Sequence, residues 1–94
     1  MEIESIRHKA LRNHFLTGST KGLPGEVVGR LGKMLQFLLA TPEVALPQPP
    51  NFGAHLLTGN RCGIWSLTVT RNWRLTFLIN DFGRITEVDL EDYH

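Results

Sequence analysis

The sequence predicts an α+β fold, with two N-terminal helices packed on a small twisted antiparallel β-sheet. Apolar residues recur at helical spacing in the first half of the chain, and they alternate with polar residues in the second half. A segment with four prolines, residues 41–50, separates the two patterns. Because 94 residues with 41% apolar content suffice for one compact core, we expect residues 1–94 to form a single domain.

The first half of the chain predicts two helices of unequal importance. The first covers residues 7–16 and ends at Gly18. The second covers residues 26–40 and is the main core helix, with apolar residues at Val27, Leu31, Met34, Leu35 and Leu38. Gly29 and Gly32 each lower its helix propensity by about 1 kcal/mol relative to alanine, so we expect both to pack closely against a neighbour.

The second half predicts a hairpin and a further strand. The two alternating apolar series are Trp65, Leu67 and Val69, and then Trp73, Leu75, Phe77 and Ile79. Between them, Arg71 and Asn72 predict a two-residue turn, because asparagine tolerates the positive φ that such turns require. A second turn at residues 80–83 leads into a strand at residues 84–90. A short strand at residues 3–6 can join this sheet, and the prolines predict a mostly extended connection over residues 41–50.

Composition removes several classes of protein and leaves the partner open. Cys62 is the single cysteine, so neither an internal disulfide nor a cysteine-rich zinc site is expected. No segment approaches the roughly 20 apolar residues that a membrane span needs, so we expect a cytoplasmic protein with no membrane partner. Residues 5–74 carry nine basic and two acidic residues (+7), residues 75–94 one basic and five acidic (−4), and Glu2 and Glu4 bring the sum to +1. A polyanionic partner and an ordinary mixed surface explain this segregation equally well.

The side chains that can carry chemistry are those of histidine, arginine, aspartate and tyrosine. The chain has no glycine-rich phosphate loop, no HExxH helix and no nucleophile elbow. The candidates are His55, Arg61, Arg71, Arg74, Asp92, Tyr93 and His94. RNA cleavage through the 2'-hydroxyl needs a base, an acid and cations around the phosphorane, and these residue types supply all three without a metal or another cofactor. Taken singly, each candidate is more often an ordinary surface residue, so a generic binding domain stays open at this point.

Strand alternation tests part of this set. The apolar positions of the strand around Arg74 face the helices, which turns Arg74 to the opposite face of the sheet. In the last strand Leu90 marks the core side, so strict alternation places Tyr93 with Arg74 and directs Asp92 and His94 the other way. A bend or bulge near the end redirects all three, so the sequence leaves their arrangement open.

Three segments carry a resemblance to a known family. These are Arg61-Cys62-Gly63-Ile64-Trp65-Ser66, Asn72-Trp73-Arg74-Leu75-Thr76-Phe77 and Val88-Asp89-Leu90-Glu91-Asp92-Tyr93-His94, with further similarity at residues 6–11 and 55–59. In this order they resemble the HigB branch of the RelE/ParE toxin superfamily, over nearly the whole chain. The resemblance implies two helices on a small antiparallel sheet, ribosome-dependent cleavage of messenger RNA in the A site, and inhibition by a helix-turn-helix (HigA-like) antitoxin.

The resemblance also implies roles for individual residues. By motif, His55, Asp92, Tyr93 and His94 match the acid–base group of the family, and Arg61, Arg71 and Arg74 match its phosphate-facing basic residues. Relatives commonly have a lysine where this chain has Thr58, so a phosphate-binding charge is missing there. Two alternatives remain: a non-catalytic module that binds RNA or the ribosome, and a degenerate toxin that only binds its antitoxin.

Overall fold

The computed structural model of the chain describes residues 1–92 and confirms the α+β class. Two helices, α1 (Lys9–Thr17) and α2 (Gly25–Ala40), precede four strands: β1 (His55–Leu56), β2 (Trp65–Thr68), β3 (Trp73–Ile79) and β4 (Ile85–Asp92). The strands form one antiparallel sheet in the order β1-β2-β3-β4. In the described part of the chain, no helix is both long and apolar enough to cross a membrane.

Helix α1 begins two residues later than predicted because His8 acts as its N-cap. The Nδ1 atom of His8 accepts a hydrogen bond from the backbone N–H of Leu11 at 3.1 Å, which satisfies one of the unpaired donors of the first turn. The predicted end is confirmed: Gly18 has φ 81° and its N–H donates to the carbonyl of His14. A left-handed residue at this position favours glycine, since a Cβ is disfavoured there.

The predicted face of α2 is confirmed, whereas the interpretation of its glycines is wrong. All five predicted core positions of the helix are buried, and they pack with residues of α1 and of the sheet. Gly29 and Gly32 are exposed instead, and a Cβ at either position would meet nothing within 4 Å. Both glycines lie away from the apolar stripe, so they lower helix propensity without a compensating contact in this chain.

The connection after α2 is more compact than the prolines predict. A short 3₁₀ helix, Glu43–Ala45, interrupts the expected extended chain. Leu46 follows it and is fully buried, and the Nδ2 atom of buried Asn51 donates to the Leu46 carbonyl at 2.6 Å. This segment thus contributes the Leu46 side chain to the core, and the Asn51 side chain satisfies the Leu46 carbonyl within the same segment.

The β2–β3 hairpin also differs from the prediction of a two-residue turn. Pairing ends at Thr68 opposite Arg74, and residues 69–72 connect the strands. The backbone N–H groups of Val69 and Thr70 both donate to the Trp73 carbonyl, at 3.0 and 3.3 Å. Asn72 therefore does not adopt the positive φ that was expected of it, and neither does any other residue of the connection.

Strand β4 runs to Asp92, two residues beyond the prediction, and contains a bulge. The register with β3 shifts between Thr76 and Leu78, and Glu87 at the bulge has φ 55°. Residues 3–6 do join the sheet, as isolated parallel bridges to β4. They cover the edge of β4 that β3 leaves open.

Candidate active site on the outer face of the sheet

The face of the sheet that points away from the helices collects polar side chains in two rows. Residues directly opposite each other in antiparallel strands share a face, so the register defines the rows. One row contains Thr68, Arg74 and Glu91, and the next contains His55, Ser66, Thr76 and Asp89. Leu75 and Phe77, which alternate with Arg74 and Thr76, are buried against the helices. The predicted outward direction of Arg74 is confirmed.

The strand register also shows on which face of the sheet Asp92 lies. From Val88 onward β4 alternates regularly, because the bulge lies before this part of the strand. Leu90 pairs with Leu75 on the core side, and Asp92 pairs with half-buried Trp73 on that same side at the strand end. Tyr93 and His94, two of the predicted acid–base residues, lie outside the described residues.

A cavity of about 230 Å³ opens on this face. Its lining residues are Leu57, Arg61, Ser66, Arg74, Thr76, Glu91 and Asp92. Three of the predicted residues, Arg61, Arg74 and Asp92, are therefore brought together, whereas His55 and Arg71 are not among the lining residues. The volume is below the roughly 300–1,000 Å³ of sites that enclose a whole small molecule, so the cavity suits one group of a larger substrate bound from outside.

An ion pair spans this cavity. The Nη2 atom of Arg61 lies 2.6 Å from Oε2 of Glu91, and the hydroxyl of Thr76 donates to the same oxygen at 2.5 Å. Arg61 is the last residue of the short 3₁₀ helix Gly59–Arg61, which lies before β2 in the chain. Its long side chain therefore reaches Glu91 on β4 from outside the sheet. Thr76 is almost fully buried, whereas the side chains of Arg61 and Glu91 keep 45% and 29% of their exposure.

The ion pair keeps both partners charged. The hydrogen bond from Arg61 lowers the pKa of the Glu91 carboxyl below its ordinary value; burial opposes this shift, and the Thr76 hydroxyl adds to it. The same hydrogen bond raises the pKa of Arg61. Sequence analysis missed Glu91, although a signal was available: the alternation that directs Leu90 inward directs Glu91 to the Arg74 face.

Arg74 is tied to the β2–β3 connection. Its Nη1 atom donates to the backbone carbonyls of Thr70, Trp73 and Arg71, at 2.8, 3.1 and 3.3 Å. Hydrogen bonds from a charged donor are stronger than neutral ones, so the guanidinium organises this loop. The exposed side chain of Arg71 extends from the same loop. Arg71 on the loop and Arg74 on β3 therefore place two cations at this end of the sheet, and Arg74 lines the cavity.

His55 lies on the outer face but at the opposite edge of the sheet. Its Nδ1 atom is 3.0 Å from the carbonyl oxygen of Gly53. Because a carbonyl only accepts, Nδ1 donates in this contact, which leaves Nε2 as the acceptor of the neutral ring. Three strand spacings separate β1 from β4, about 14 Å, so His55 and Asp92 do not contact each other.

Within residues 1–92, no group of three or more histidine, cysteine, aspartate or glutamate side chains comes close enough to hold a metal ion. Of the two acidic residues that line the cavity, Glu91 is bound by Arg61 and Thr76.

The chain is similar to known proteins in sequence and in fold, although no protein-family model matches it. The chain is 39% identical over 93 residues to Endoribonuclease HigB from Proteus vulgaris, which covers 98% of this chain and 99% of that protein. Its fold is similar to that of the YoeB/ParE toxin from Agrobacterium tumefaciens, with a TM-score of 0.60 over 100% of this chain and 99% of the toxin. The sequence identity to the toxin is 14%, so that likeness concerns the fold alone.

Proposed function

The chain belongs to the HigB family of endoribonuclease toxins, and we propose that it cuts messenger RNA in the ribosomal A site until a helix-turn-helix antitoxin inhibits it. As a member of this family it is the toxin of a toxin–antitoxin pair. A protein that acts on translating ribosomes works in the cytoplasm, so we propose a cytoplasmic location as well.

The observation that carries the proposal is the cavity on the outer face of the sheet, which Arg61 and Arg74 line and which Asp92 borders at the end of β4. Two guanidinium groups at one cavity suit a phosphodiester, because each planar fork matches phosphate oxygens. A strand of RNA laid across this face would extend from β4 toward His55 at the β1 edge. The shallow site fits a long polymeric substrate better than a small molecule.

Cleavage then proceeds through attack of the ribose 2'-hydroxyl on the adjacent phosphate. A base removes the hydroxyl proton, an acid protonates the leaving 5'-oxygen, and cations stabilise the charge on the phosphorane. We assign the proton transfers to the group His55, Asp92, Tyr93 and His94. Nε2 of His55, left as an acceptor by the Gly53 contact, is available for one of these transfers.

Arg61, Arg71 and Arg74 hold and stabilise the phosphate. The Arg61–Glu91 pair leaves Nε and Nη1 of Arg61 for phosphate oxygens, since the ion pair uses Nη2. Thr58, the N-cap residue of the 3₁₀ helix, is exposed and adds no charge to the site. The arginines therefore supply the whole positive charge proposed for binding.

The test is purified protein incubated with translating ribosomes and a defined messenger RNA, followed by mapping of new RNA ends. New ends within codons in the A site support the proposal. A module that only binds the ribosome would co-sediment with it and leave the message intact. A degenerate toxin would do neither and would bind only its antitoxin.

Two additional arms of this experiment test the chemistry. Replacing magnesium by exchange-inert cobalt hexammine, under conditions that keep ribosomes intact, should leave cleavage in place, because no step uses a metal. Deleting His94, or replacing it by glutamine, should strongly lower single-turnover cleavage, because glutamine keeps a hydrogen-bonding group but cannot titrate. Wild-type rates in both His94 variants would transfer its role to Tyr93 or His55.

A further inference from the structure

Glu91 is an acidic side chain in a cavity that is proposed to bind an anion, and the acid–base group does not use it. Its Oε2 atom accepts from both Arg61 and Thr76, and it lies directly opposite Arg74 in the strand register. A carboxylate at this place repels RNA, so its presence calls for a compensating role in the reaction.

The contacts of Glu91 differ on its two sides. On one side, the almost fully buried hydroxyl of Thr76 and the paired backbone of β4 fix the carboxylate relative to the sheet. On the other side, Arg61 comes from a short 3₁₀ helix outside the sheet, with a side chain that is nearly half exposed. A long side chain anchored in such a segment has many rotamers, and the carboxylate selects one of them.

We propose that Glu91 is a positioning residue that holds the Arg61 guanidinium over the cavity. The proposal rests on the proposed function, because it takes the cavity as the place of the scissile phosphate. Glu91 binds one nitrogen of Arg61 and leaves the remaining donors directed at the substrate. The positive charge is thus in place before RNA arrives, which avoids an ordering step in the transition state.

Removing the charge of Glu91 has two opposite effects on kinetics. In Glu91→Gln the cavity becomes more positive, so the KM for ribosome-bound message should fall by about twofold. Arg61 also loses its ion pair and moves among rotamers, so kcat should fall on the order of tenfold. A merely structural residue would not lower both parameters together.

The decisive measurement is a double-mutant cycle in single-turnover cleavage. The variants are Arg61→Ala, Glu91→Ala and the double variant, alongside Glu91→Gln. If Glu91 acts through Arg61, the double variant should cleave at the rate of Arg61→Ala to within about twofold. Glu87→Gln is the matched control, because it makes the same substitution on the same strand at an exposed residue outside the cavity. It should keep the wild-type kcat.

Three outcomes would overturn the proposal. The first is a wild-type kcat and KM for Glu91→Gln, and the second is a loss in the double variant equal to the product of the two single losses. The third is wild-type cleavage by Arg61→Ala, which leaves Glu91 nothing to position. If the wild-type protein itself produces no new RNA ends, the proposed function fails, and this inference fails with it. Glu91→Gln keeps the shape and the acceptor for Thr76, so it tests the proposal even if an alanine variant misfolds.

Discussion

At the scale of single residues, Arg74 combines a functional and a structural position. Its direction follows from strand alternation, and it lines the cavity as expected. Its three hydrogen bonds to loop carbonyls were not foreseeable, because they depend on how residues 69–72 turn. These bonds give Arg74 a structural role in the β2–β3 connection in addition to its place at the cavity.

We predict that Arg74→Ala lowers the free energy of unfolding by about 1–2 kcal/mol, since it removes a charged donor from three carbonyls of a partly exposed loop. Cleavage should fall on the order of 10²-fold, the scale for loss of one charge-stabilising donor. Urea unfolding and single-turnover cleavage measure the two effects. Arg71→Ala is the control for stability, because its exposed side chain lies in the same loop. An unchanged urea midpoint for Arg74→Ala would show that the carbonyl contacts contribute nothing.

The Glu91 carboxyl predicts a pH dependence of stability with a definite sign. Its pKa is lowered in the folded protein, so the unfolded chain binds the proton more readily. The contribution of the ion pair is therefore complete above the ordinary glutamate pKa of about 4.3 and is lost as pH falls through the lower folded value. Because both side chains are partly exposed, we expect it to stay below about 1 kcal/mol.

The measurement is urea unfolding of the wild type and Glu91→Gln at several pH values between 7 and 3. The wild type should be the more stable protein at pH 7 and 5. The difference should shrink as pH falls below about 4.3, because the unfolded chain then takes up a proton more readily than the folded carboxyl does. A difference that grows on acidification contradicts the assignment of the lowered pKa.

At the scale of secondary-structure elements, the bulge in β4 decides which side chains reach the site. Ile85 and Val88 are both buried although three positions separate them, because the bulge at Glu87 adds one residue to β4. Without that residue, everything from Val88 to the strand end would turn to the opposite face. The outward direction of Glu91 thus depends on a left-handed residue four positions earlier.

We predict that Glu87→Gly raises the free energy of unfolding by about 0.5 kcal/mol. A left-handed conformation costs an L-residue about 1–2 kcal/mol, and the extra chain entropy of glycine offsets part of the relief. Glu87→Val should lower stability by about 1 kcal/mol or more, since a β-branched side chain tolerates this φ poorly. Glu87→Ala controls for loss of the carboxylate and should be nearly neutral. Equal stability of the glycine and valine variants would argue against the left-handed bulge.

At the scale of the whole molecule, the N-terminal segment and β4 meet although they are about 80 residues apart in sequence. Ile3 pairs with Ile85 and Ile6 with Val88, and the N–H of Val88 donates to the Ser5 carbonyl at 3.2 Å. Ile6 is almost completely buried in the core. These contacts hold the strand that carries Glu91 and Asp92.

We predict that Ile6→Ala lowers the free energy of unfolding by about 2–4 kcal/mol, the usual cost of truncating a buried isoleucine. The backbone amide of Val88 should also exchange its hydrogen faster, because its acceptor lies in the destabilised segment. Ile3→Ala is the matched control and should cost less, since Ile3 is only half-buried. Equal losses in the two variants would mean that burial of Ile6 does not hold the segment against β4.

Ion pairs in the folded chain also explain part of the separation of acidic and basic residues along the sequence. The acidic N-terminus lies beside the β3–β4 turn, where Arg84 pairs with Glu2 at 3.2 Å and with Glu4 at 3.6 Å. In the last strand, Glu91 pairs with Arg61. The acidic ends of the chain therefore contact two of its basic residues, a result that the net charge of +1 does not reveal.

Features that depend on local periodicity could be predicted from the sequence alone. These features are the α+β class, the core face of α2, the end of α1 at Gly18 and the outward direction of Arg74. Such features follow from which positions along a helix or strand must be apolar, and that information lies within a few neighbouring residues.

Features that depend on pairing between distant segments could not be predicted from the sequence and are visible only in the folded chain. Strand β1 has two residues and no period of its own, and it exists because His55 and Leu56 pair with β2. The bulge at Glu87 shows only in the register with β3. The ion pair between Arg61 and Glu91 joins residues 30 positions apart. Each of these features depends on contacts between segments far apart in the chain. The periodicity of a single sequence carries no information about such contacts, because it describes only neighbouring residues.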